Sequence, residues 1–506
     1  MKKILALVLA ATLLLSVASF ASAETLKPVT LKIMFHGSNV TDDSAVLATL
    51  NPYLQEKIGV TLEPIWGTWG DFDDKAVNAI NAGDNIDIYF TCSWSADDYN
   101  TFAKKGAWVR LDDPENNLLE QYAPDLFAAL PEVLVNGAAI EGALGKGIYA
   151  VPGYKDIATQ NTWDVNVTLL EKYGYTEDDI RNTDYYGFGD IFAKVKAGEG
   201  DSFYPLLIEG GVLERMVCGT IIVAGDNGVD NLLSYFMNTE KTAEAGPYGD
   251  QFFSKFATEE YKKFVEKTRE YYELGYIDPA LAIKETSNDT RTNKQLKADY
   301  LIGTQSYALG YEHQVSQERG IQVAMIPVTP PYIDTTSSQG AMMAISTASQ
   351  NQDRAMMFLN LLNSDPFVMT TLNYGVEGTH FTKNADGTIE FIQAARDQYM
   401  PWRNGMGNVT MLPPTKDEGA DFWNEFKAYY GAADSIPVLG FTFDSTPVQN
   451  EMAALTNVYA QYSLSLSSGA VDPATVLPEF LQKLDEAGMQ KYLDEANAQL
   501  AAFLTK

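Results

Sequence analysis

The segment Gly147–Gly174, GIYAVPGYKDIATQNTWDVNVTLLEKYG, decides the fold of this 506-residue chain. A short apolar run, Ile148–Val151, ends at a Pro-Gly pair, and a second extended run, residues 157–163, leads into a helix. The spacing predicts that this helix ends at Gly174, because glycine readily adopts the left-handed conformation of a helix C-cap. A strand, a polar turn and a longer strand that feeds a helix are typical of a chain passing between two lobes. We therefore expect this segment to be both a hinge strand and a wall of a binding cleft.

Strands and helices alternate upstream of this segment. Apolar runs predict strands at 29–35, 60–66 and 86–90, and helical spacing predicts helices at 43–58 and 72–82. This alternation indicates a doubly wound α/β layer with parallel strands, and ligands bind such sheets beyond the carboxyl ends of the strands. The residues at those predicted ends include His36, Trp66, Trp69, Ser93 and Trp94.

Length and charge limit the classes of function. A chain of 506 residues exceeds one ordinary core, so two or three lobes are expected. Its formal net charge of −31 argues against nucleic acids and anionic membranes as partners, because both attract an excess of Lys and Arg.

The N-terminus has the pattern of a secretory signal. Lys2 and Lys3 precede the apolar run Ile4–Val17, and Ala21-Ser22-Ala23 matches a cleavage site, so residues 1–23 are expected to be removed. The protein is then exported to a periplasm or an extracellular surface. No cysteine lies at the cleavage site, which predicts no lipid anchor there. The two cysteines, Cys92 and Cys218, lie in apolar contexts and are expected to be buried free thiols.

Catalytic and metal-binding motifs are missing from the sequence. The three histidines have no metal-ligand spacing, and there is no nucleophile elbow, phosphate loop or dinucleotide fingerprint. Paired carboxylates such as Asp73 and Asp74 are expected by chance among 67 acidic residues. The run 226–231 superficially resembles a calcium loop but lacks the bidentate glutamate, which favours an ordinary turn. We expect no catalytic residue, no metal and no cofactor.

Tryptophans provide the more specific signal. Several stand at strand ends or in polar loops, where they either pack within a lobe or hinge, or form flat platforms for the apolar face of a sugar ring. Trp108 and Trp423 are expected to pack in the core. Polar partners would come from nearby charged and hydroxyl groups, each of which has an ordinary surface role as its alternative. The complete set of predicted ligand-binding residues is His36, Trp66, Trp69, Ser93, Trp94, Lys155, Asp156, Trp163, Tyr307, Glu377, Trp402 and Arg403.

With these segments in view, the chain resembles the extracellular solute-binding protein family 1 of ABC importers, the relatives of maltose-binding protein. The resemblance lies in GIYAVPGYKD, TWDVNVTLLEKYGY, VAMIPVTPP and the long segment from Gly340 to Phe381. The tail from Gly440 is similar to the C-terminal domain of a subgroup found in many oligosaccharide importers.

The resemblance implies two α/β lobes of the type II periplasmic-binding-protein fold, a multi-strand hinge and closure of the lobes on a ligand. Crossings between lobes are expected at about 155–163, 299–305 and 340–346. The corresponding division is an N-lobe of 24–157 plus 303–342, a C-lobe of 158–302 plus 343–439, and a helical C-terminal domain of 440–506 packed on the C-lobe.

The implied function is capture of an oligosaccharide by a monomeric, non-catalytic protein that delivers it to the permease subunits of an ABC transporter. Two alternatives remain open from the sequence. In the first, the protein is a secreted carbohydrate-active enzyme with a carboxylate pair in the cleft. In the second, it has the same fold but binds a peptide or another solute.

Overall fold

The computed structural model describes residues 26–505 except Asp125, Ile222 and residues 225–231. The strands that organise the two lobes are β1 (Val29–Phe35), β2 (Val60–Trp66), β3 (Ile88–Thr91), β4 (Val151–Pro152), β5 (Asn161–Asn166), β6 (Ile302–Ser306), β7 (Val323–Pro327) and β8 (Met342–Ile345).

The longer helices, of nine residues or more, are α1 (Ser44–Ile58), α2 (Phe72–Ala82), α3 (Gly189–Glu199), α4 (Gly210–Cys218), α5 (Glu259–Glu273), α6 (Lys284–Leu296), α7 (Tyr311–Arg319), α8 (Gln352–Ser364), α9 (Pro366–Tyr374), α10 (Phe422–Gly431), α11 (Gln449–Ser467), α12 (Pro473–Glu486) and α13 (Met489–Leu504). Shorter helices are Tyr99–Lys104, Leu118–Tyr122, Glu132–Gly137, Val167–Lys172, Glu177–Arg181, Thr335–Ser338 and Gln393–Arg396.

Small sheets complete the lobes. They are the pairs Asn39–Val40 with Tyr399–Met400, Asp112–Asp113 with Asn116–Asn117, Ala139–Gly142 with Gly145–Ile148, and Phe381–Lys383 with Ile389–Phe391, and the three-stranded set Thr220–Ile221, Ser234–Phe236 and Phe252–Phe253.

The first lobe is built on a five-stranded sheet of order β2-β1-β3-β8-β4. Strand β1 pairs in parallel with both β2 and β3, whereas β8 runs antiparallel to β3 and β4. The register places Phe35 opposite Trp66, so the carboxyl ends of β1 and β2 lie together at one edge. The parallel α/β layer predicted for this part of the chain is confirmed.

The second lobe has a smaller central sheet of order β6-β5-β7. Strand β5 is antiparallel to both neighbours, with Trp163 opposite Thr304 on one side and Ile326 on the other. Leu206 extends the sheet through a parallel bridge to Ile302. This lobe therefore differs from the doubly wound sheet expected of it, because its central strand runs against both partners.

Three crossings lie side by side and form the hinge, which comprises Ile157–Asn161, Tyr332–Ile333 and Asp434–Ser435. Thr159 bridges Tyr332 in antiparallel fashion, and Tyr332–Ile333 pairs in parallel with Asp434–Ser435. The first crossing falls where the sequence predicts it. The second and third are displaced from 299–305 to 332–333 and from 340–346 to 434–435.

The two hydrophobic cores consequently divide the chain differently from the prediction. The first-lobe core draws on residues 31–158 and 333–430, and the second-lobe core on 163–332 and 436–500. Residues 303–327 lie in the second lobe because β6 and β7 both pair with β5, and residues 343–430 lie in the first because β8 pairs with β3. Apolar runs identify strands but not their partners, so the sequence could not assign these segments to a lobe.

The C-terminal helices α11, α12 and α13 share the second-lobe core. Leu455, Phe480 and Tyr492 are at most 1% exposed within it. The predicted packing of this region on the second lobe therefore extends to a continuous core. It arises because α11 and α12 pack against α5, and α13 packs against the strand Phe252–Phe253.

Other predicted core residues are confirmed. Trp108 is 1% and Trp423 9% exposed, and both cysteines are buried free thiols, Cys92 in the first-lobe core and Cys218 in the second. The predicted signal segment and the predicted turn at 226–231 lie outside the described residues. Among the helices of the described part of the chain, none combines the length and apolarity that a membrane span requires.

Candidate functional site

An aromatic cluster covers the carboxyl edge of the first-lobe sheet. His36 directly follows β1, Trp69 follows β2, and Trp94 follows β3. Trp402 joins them from a distant segment, because Tyr399–Met400 pairs with Asn39–Val40 just beyond β1. We call Trp69, Trp94 and Trp402, with His36 beneath them, the aromatic platform.

The three tryptophan rings of the platform pack against one another. The centroids of Trp69 and Trp94 are 6.0 Å apart with 24° between their planes, and Trp402 stands edge-on 4.9 Å from Trp69 and 5.9 Å from Trp94. Trp69 is 61% and Trp94 48% exposed. Large exposed aromatic surface of this kind marks a binding surface, since it would otherwise be an unfavourable apolar patch.

His36 supports the platform from below and is only 4% exposed. Its ring contacts Trp69 at 4.6 Å, Phe72 at 4.4 Å and Phe90 at 5.0 Å. Burial lowers the pKa of His36 to about 4 because the charged imidazolium is poorly solvated there. The residue is therefore a neutral aromatic support at physiological pH. Its Nε2 lies 4.0 Å from a carboxylate oxygen of Asp73.

Gly37 allows the platform to pack closely. Its φ of +67° is in the left-handed region that glycine adopts without strain. A Cβ at this position would lie 2.9 Å from the Trp69 ring and 3.3 Å from the Cβ of Trp402. A side chain at residue 37 would push both tryptophans outward.

The loop before β8 holds the second edge of the platform. Trp94 Nε1 donates a hydrogen bond of 2.8 Å to the Gly340 carbonyl, and Ser93 Oγ donates one of 3.0 Å to the Thr336 carbonyl. Thr336 and Gly340 lie between the hinge strand Tyr332–Ile333 and β8. The orientation of Trp94 is therefore coupled to the segment that connects the lobes.

A polar rim borders the platform. Lys155 Nζ lies 3.0 Å from Asp156 Oδ1, and Asn404 Nδ2 donates to the same oxygen at 3.2 Å. The side chains of Lys155 and Asp156 are 13% and 26% exposed. Lys155 also approaches Gly340, whose carbonyl accepts the hydrogen bond from Trp94. The rim thus places charged and amide groups next to flat aromatic surface.

Two predicted tryptophans lie outside the platform. Trp66 stacks on Phe35 at 4.8 Å and donates from Nε1 to Asp43 Oδ2. Trp163 is 5% exposed and packs in the second-lobe core against Tyr185 and Phe188. The expectation that the Trp163 ring opens into the cleft is therefore wrong for this structure, because the central position of β5 buries its side chains.

Glu377 and Arg403 also have other partners. Glu377 is an exposed residue paired with Lys383 at 2.9 Å, near the hairpin Phe381–Phe391. Arg403 Nη1 lies 2.6 Å from Glu418 Oε1. Burial lowers the pKa of the Arg403 guanidinium, but Tyr374 and then Glu418 outweigh it and raise the pKa above its usual value. The ion pair positions the loop that carries Trp402, so Arg403 supports the platform from behind.

Tyr307 lies at the hinge. Its backbone N–H donates to the Gln160 carbonyl at 2.8 Å, and its ring packs 5.6 Å from that of Tyr429. Tyr429 in turn donates a hydrogen bond to the Gln160 side chain. Tyr307 is partly buried at the carboxyl end of β6, where a closing movement of the lobes would alter its contacts.

Sequence reasoning missed an ion pair on the second lobe. Glu209 follows the strand segment at Leu206, which runs parallel to β6 towards the hinge, and precedes α4. Glu209 Oε2 lies 2.9 Å from Nη1 of Arg291, and the buried Nε of Arg291 has no protein hydrogen-bond partner. The sequence does carry a signal for Glu209: the turn IEGG follows an apolar run and so marks a strand end, like the strand ends that carry the site residues of the first lobe.

Asp97 lies below Trp94 and is fully buried. Ser95 Oγ donates to its Oδ1, while its Oδ2 has no protein partner. Burial raises the pKa of Asp97 to about 8, because desolvation disfavours the carboxylate. The carboxyl group of Asp97 is out of reach of a molecule on the platform.

Comparisons with known proteins agree with this architecture. Residues 437–505 match the family described as a domain of unknown function, DUF3502. A Streptococcus pneumoniae serotype 4 (strain ATCC BAA-334 / TIGR4) protein named "Carbohydrate ABC transporter substrate-binding protein" is 27% identical over 486 residues. The match covers 94% of this chain and 91% of the relative.

The fold is similar to that of a solved N-glycan transport solute-binding protein, NgtS, from Streptococcus pneumoniae. That structure has a TM-score of 0.76 and 25% identity, and the match covers 95% of this chain and 100% of NgtS. Two further NgtS structures contain Man1GlcNAc and Man5GlcNAc, with TM-scores of 0.74 and 0.71, 24% identity, 95% coverage of this chain and 100% and 99% of NgtS.

Proposed function

We propose that this chain, a homologue of the carbohydrate ABC transporter substrate-binding proteins, captures an oligosaccharide between its lobes and delivers it to an ABC importer. The observation that carries the proposal is the exposed aromatic platform at the carboxyl edge of the first-lobe sheet. A pyranose ring has an apolar C–H face and a polar hydroxyl rim. Flat indole surface beside Lys155, Asp156 and Asn404 matches both parts of such a ligand.

The free energy needed for binding favours a site that is formed by surfaces of both lobes. Micromolar affinity requires about 8 kcal/mol, whereas an aromatic contact contributes only about 0.5–1.5 kcal/mol beyond the area that it buries. The platform therefore needs hydrogen bonds from a second surface. Glu209 and Arg291 stand at the hinge-facing end of the second-lobe sheet, so closure about the three-stranded hinge would bring charged donors and acceptors towards the bound sugar.

We further propose that binding is not followed by turnover. A retaining or inverting glycosidase needs an acid of raised pKa and a second carboxylate flanking the bond that breaks. Near the platform, burial raises the pKa of both Asp97 and Asp98. Asp97 is fully buried, and Asp98 accepts a hydrogen bond from the Thr101 N–H as the cap of the helix Tyr99–Lys104, so both carboxyl groups are committed within the fold. Steady release of shorter sugars from an incubated oligosaccharide would contradict this proposal.

Export and delivery complete the proposal. The segment 1–23 would direct secretion, with cleavage after Ala23, and the mature protein would act as a monomer at the outer face of a membrane. Its transport partner would be a permease pair.

A thermal-shift screen tests the ligand class. We expect neutral N-glycan fragments, for which Man1GlcNAc and Man5GlcNAc are the first probes, to raise the melting temperature. A ligand at one hundred times its dissociation constant stabilises a protein by about 2.7 kcal/mol. Uronic-acid oligosaccharides and short peptides serve as controls. Stabilisation by peptides but by no sugar would contradict the proposal.

The platform itself is tested by Trp69→Ala. We expect sugar affinity to fall by about tenfold or more, which corresponds to about 1.4 kcal/mol, because the most exposed ring of the platform is lost. The free energy of unfolding should change by less than about 1 kcal/mol, since that ring is 61% exposed. Isothermal titration calorimetry measures the affinity, and Trp69→Phe is the conservative control. Unchanged affinity in Trp69→Ala would exclude this ring from the site.

A further inference from the structure

A second concave surface lies on the first lobe. It is a groove of about 680 Å³ lined by Tyr154, Asn363, Ser364, Asn408, Thr410 and Lys427, among others. This volume is within the range of small-molecule sites, about 300–1,000 Å³. The groove is not part of the site proposed above, since none of the platform rings lines it.

One loop joins the platform to the groove. Trp402 begins the loop, Asn404 bonds to Asp156 in the polar rim, and Thr410 lines the groove. Backbone hydrogen bonds attach the loop to residue 154: the Tyr154 N–H donates to the Gly407 carbonyl at 2.9 Å, and the Val409 N–H donates to the Tyr154 carbonyl at 3.0 Å. The loop therefore connects the polar rim of the platform with the lining of the groove.

One residue that lines the groove has an unused, buried hydrogen-bond acceptor. Asn363 is 1% exposed and lines the groove; its Nδ2 donates to the Leu359 carbonyl at 2.8 Å, but its Oδ1 has no protein partner. A buried acceptor without a partner costs about 1–3 kcal/mol. A ligand hydroxyl that donates to this oxygen would remove that cost.

Besides Ala129, Met411 and Lys427, the remaining lining carries the kinds of group that contact a sugar. Ser364 and Thr410 contribute hydroxyls, and Asn408 is an amide whose Oδ1 already accepts from the Thr410 N–H and hydroxyl. Tyr154, in edge contact with Phe426, adds a ring face. Hydroxyls, amides and an aromatic ring together are the chemistry that recognises neutral pyranoses.

We propose that this groove is a second sugar subsite, which holds the outer pyranose units of an oligosaccharide whose inner units lie on the platform. The inference rests on the proposed function, because it assigns a second part of the same ligand. The lining residues belong to the first lobe, so the subsite exists before the lobes close. The first lobe alone would therefore discriminate long from short oligosaccharides.

Calorimetry with two probes of different length tests the subsite. We expect the wild-type protein to bind Man5GlcNAc about tenfold more tightly than Man1GlcNAc. Ser364→Trp places an indole in the groove from an exposed position at the end of α8, and should remove that preference by weakening Man5GlcNAc binding about tenfold while leaving Man1GlcNAc binding unchanged. Ser364→Ala is the matched control: it removes one hydroxyl without filling the groove and should reduce the preference far less than Ser364→Trp does. Trp69→Ala should weaken both sugars.

The outcomes separate the inference from the proposed function. Equal wild-type affinity for the two sugars, or a length preference that survives in Ser364→Trp, overturns the subsite and leaves the platform intact. Failure of the wild-type protein to bind either sugar overturns the proposed function and the subsite with it. Should Ser364→Trp melt several degrees below the wild type, Lys427→Trp fills the same groove from the exposed side of α10 and is judged by the same ratio.

Discussion

Trp163→Ala is expected to lower the free energy of unfolding by about 3–5 kcal/mol, the usual range for truncating a buried tryptophan. The ring is 5% exposed, lies on the central strand of the second-lobe sheet and contacts Tyr185 and Phe188 at 6.3 and 5.2 Å. Alanine would leave a cavity that three paired strands cannot close. Urea denaturation followed by circular dichroism measures the change.

The matched control is Trp69→Ala, the same substitution at a 61% exposed position. Its unfolding free energy should remain within about 1 kcal/mol of the wild type, whereas its sugar affinity falls. The opposite pattern at Trp163, lost affinity with intact stability, would show that this ring faces the ligand after all.

Asp97→Asn is expected to make the protein more stable than the wild type by an amount that grows with pH. The pKa of Asp97 is raised to about 8 by burial, so the folded protein keeps a proton that the unfolded chain releases near pH 4. Folding therefore takes up a proton between these values, and the stability contributed by the protonated Asp97 is lost as pH rises towards 8. Asparagine does not ionise, so the variant lacks this dependence of the unfolding free energy on pH.

The expected size follows from the pH interval. One pKa unit corresponds to about 1.4 kcal/mol, so the difference in unfolding free energy between variant and wild type should rise by about 4 kcal/mol from pH 5 to pH 8. Denaturation at four pH values provides the profile. A flat profile for Asp97→Asn would show that Asp97 is ionised in the folded protein.

These two predictions concern side chains that local sequence does not distinguish. Trp163 and Trp69 are both tryptophans in polar stretches near strands, and Asp97 follows a strand end as Asp73 does. The members of each pair differ in burial, and burial depends on how the elements of the fold pack together. Trp163 is covered because Tyr185 and Phe188 of the second-lobe core pack on its ring. Trp69 stands beyond the end of β2 and is 61% exposed.

The site was partly predictable because parallel strands bring their ends together. Once β1, β2 and β3 are recognised, His36, Trp69 and Trp94 must lie at one edge of the sheet, and the structure places their rings within 6.0 Å of one another. Trp402 reaches the same point through the pairing of Tyr399–Met400 with Asn39–Val40. Ligand contact by Glu377 stays a prediction, since this exposed residue pairs with Lys383 and no contact joins it to the platform rings.

The sequence by itself determined the elements of this protein. Strands β1 and β2 and helix α2 have the predicted bounds, because period-two and helical spacing, together with glycine caps such as Gly83, are local properties. The parallel first-lobe sheet follows from their alternation. Only the tertiary structure decided which lobe receives residues 303–327 and 343–430, and that Asn363 and Tyr154 line one groove. Those facts depend on hydrogen bonds and contacts between residues far apart in the chain, which apolar patterning does not specify.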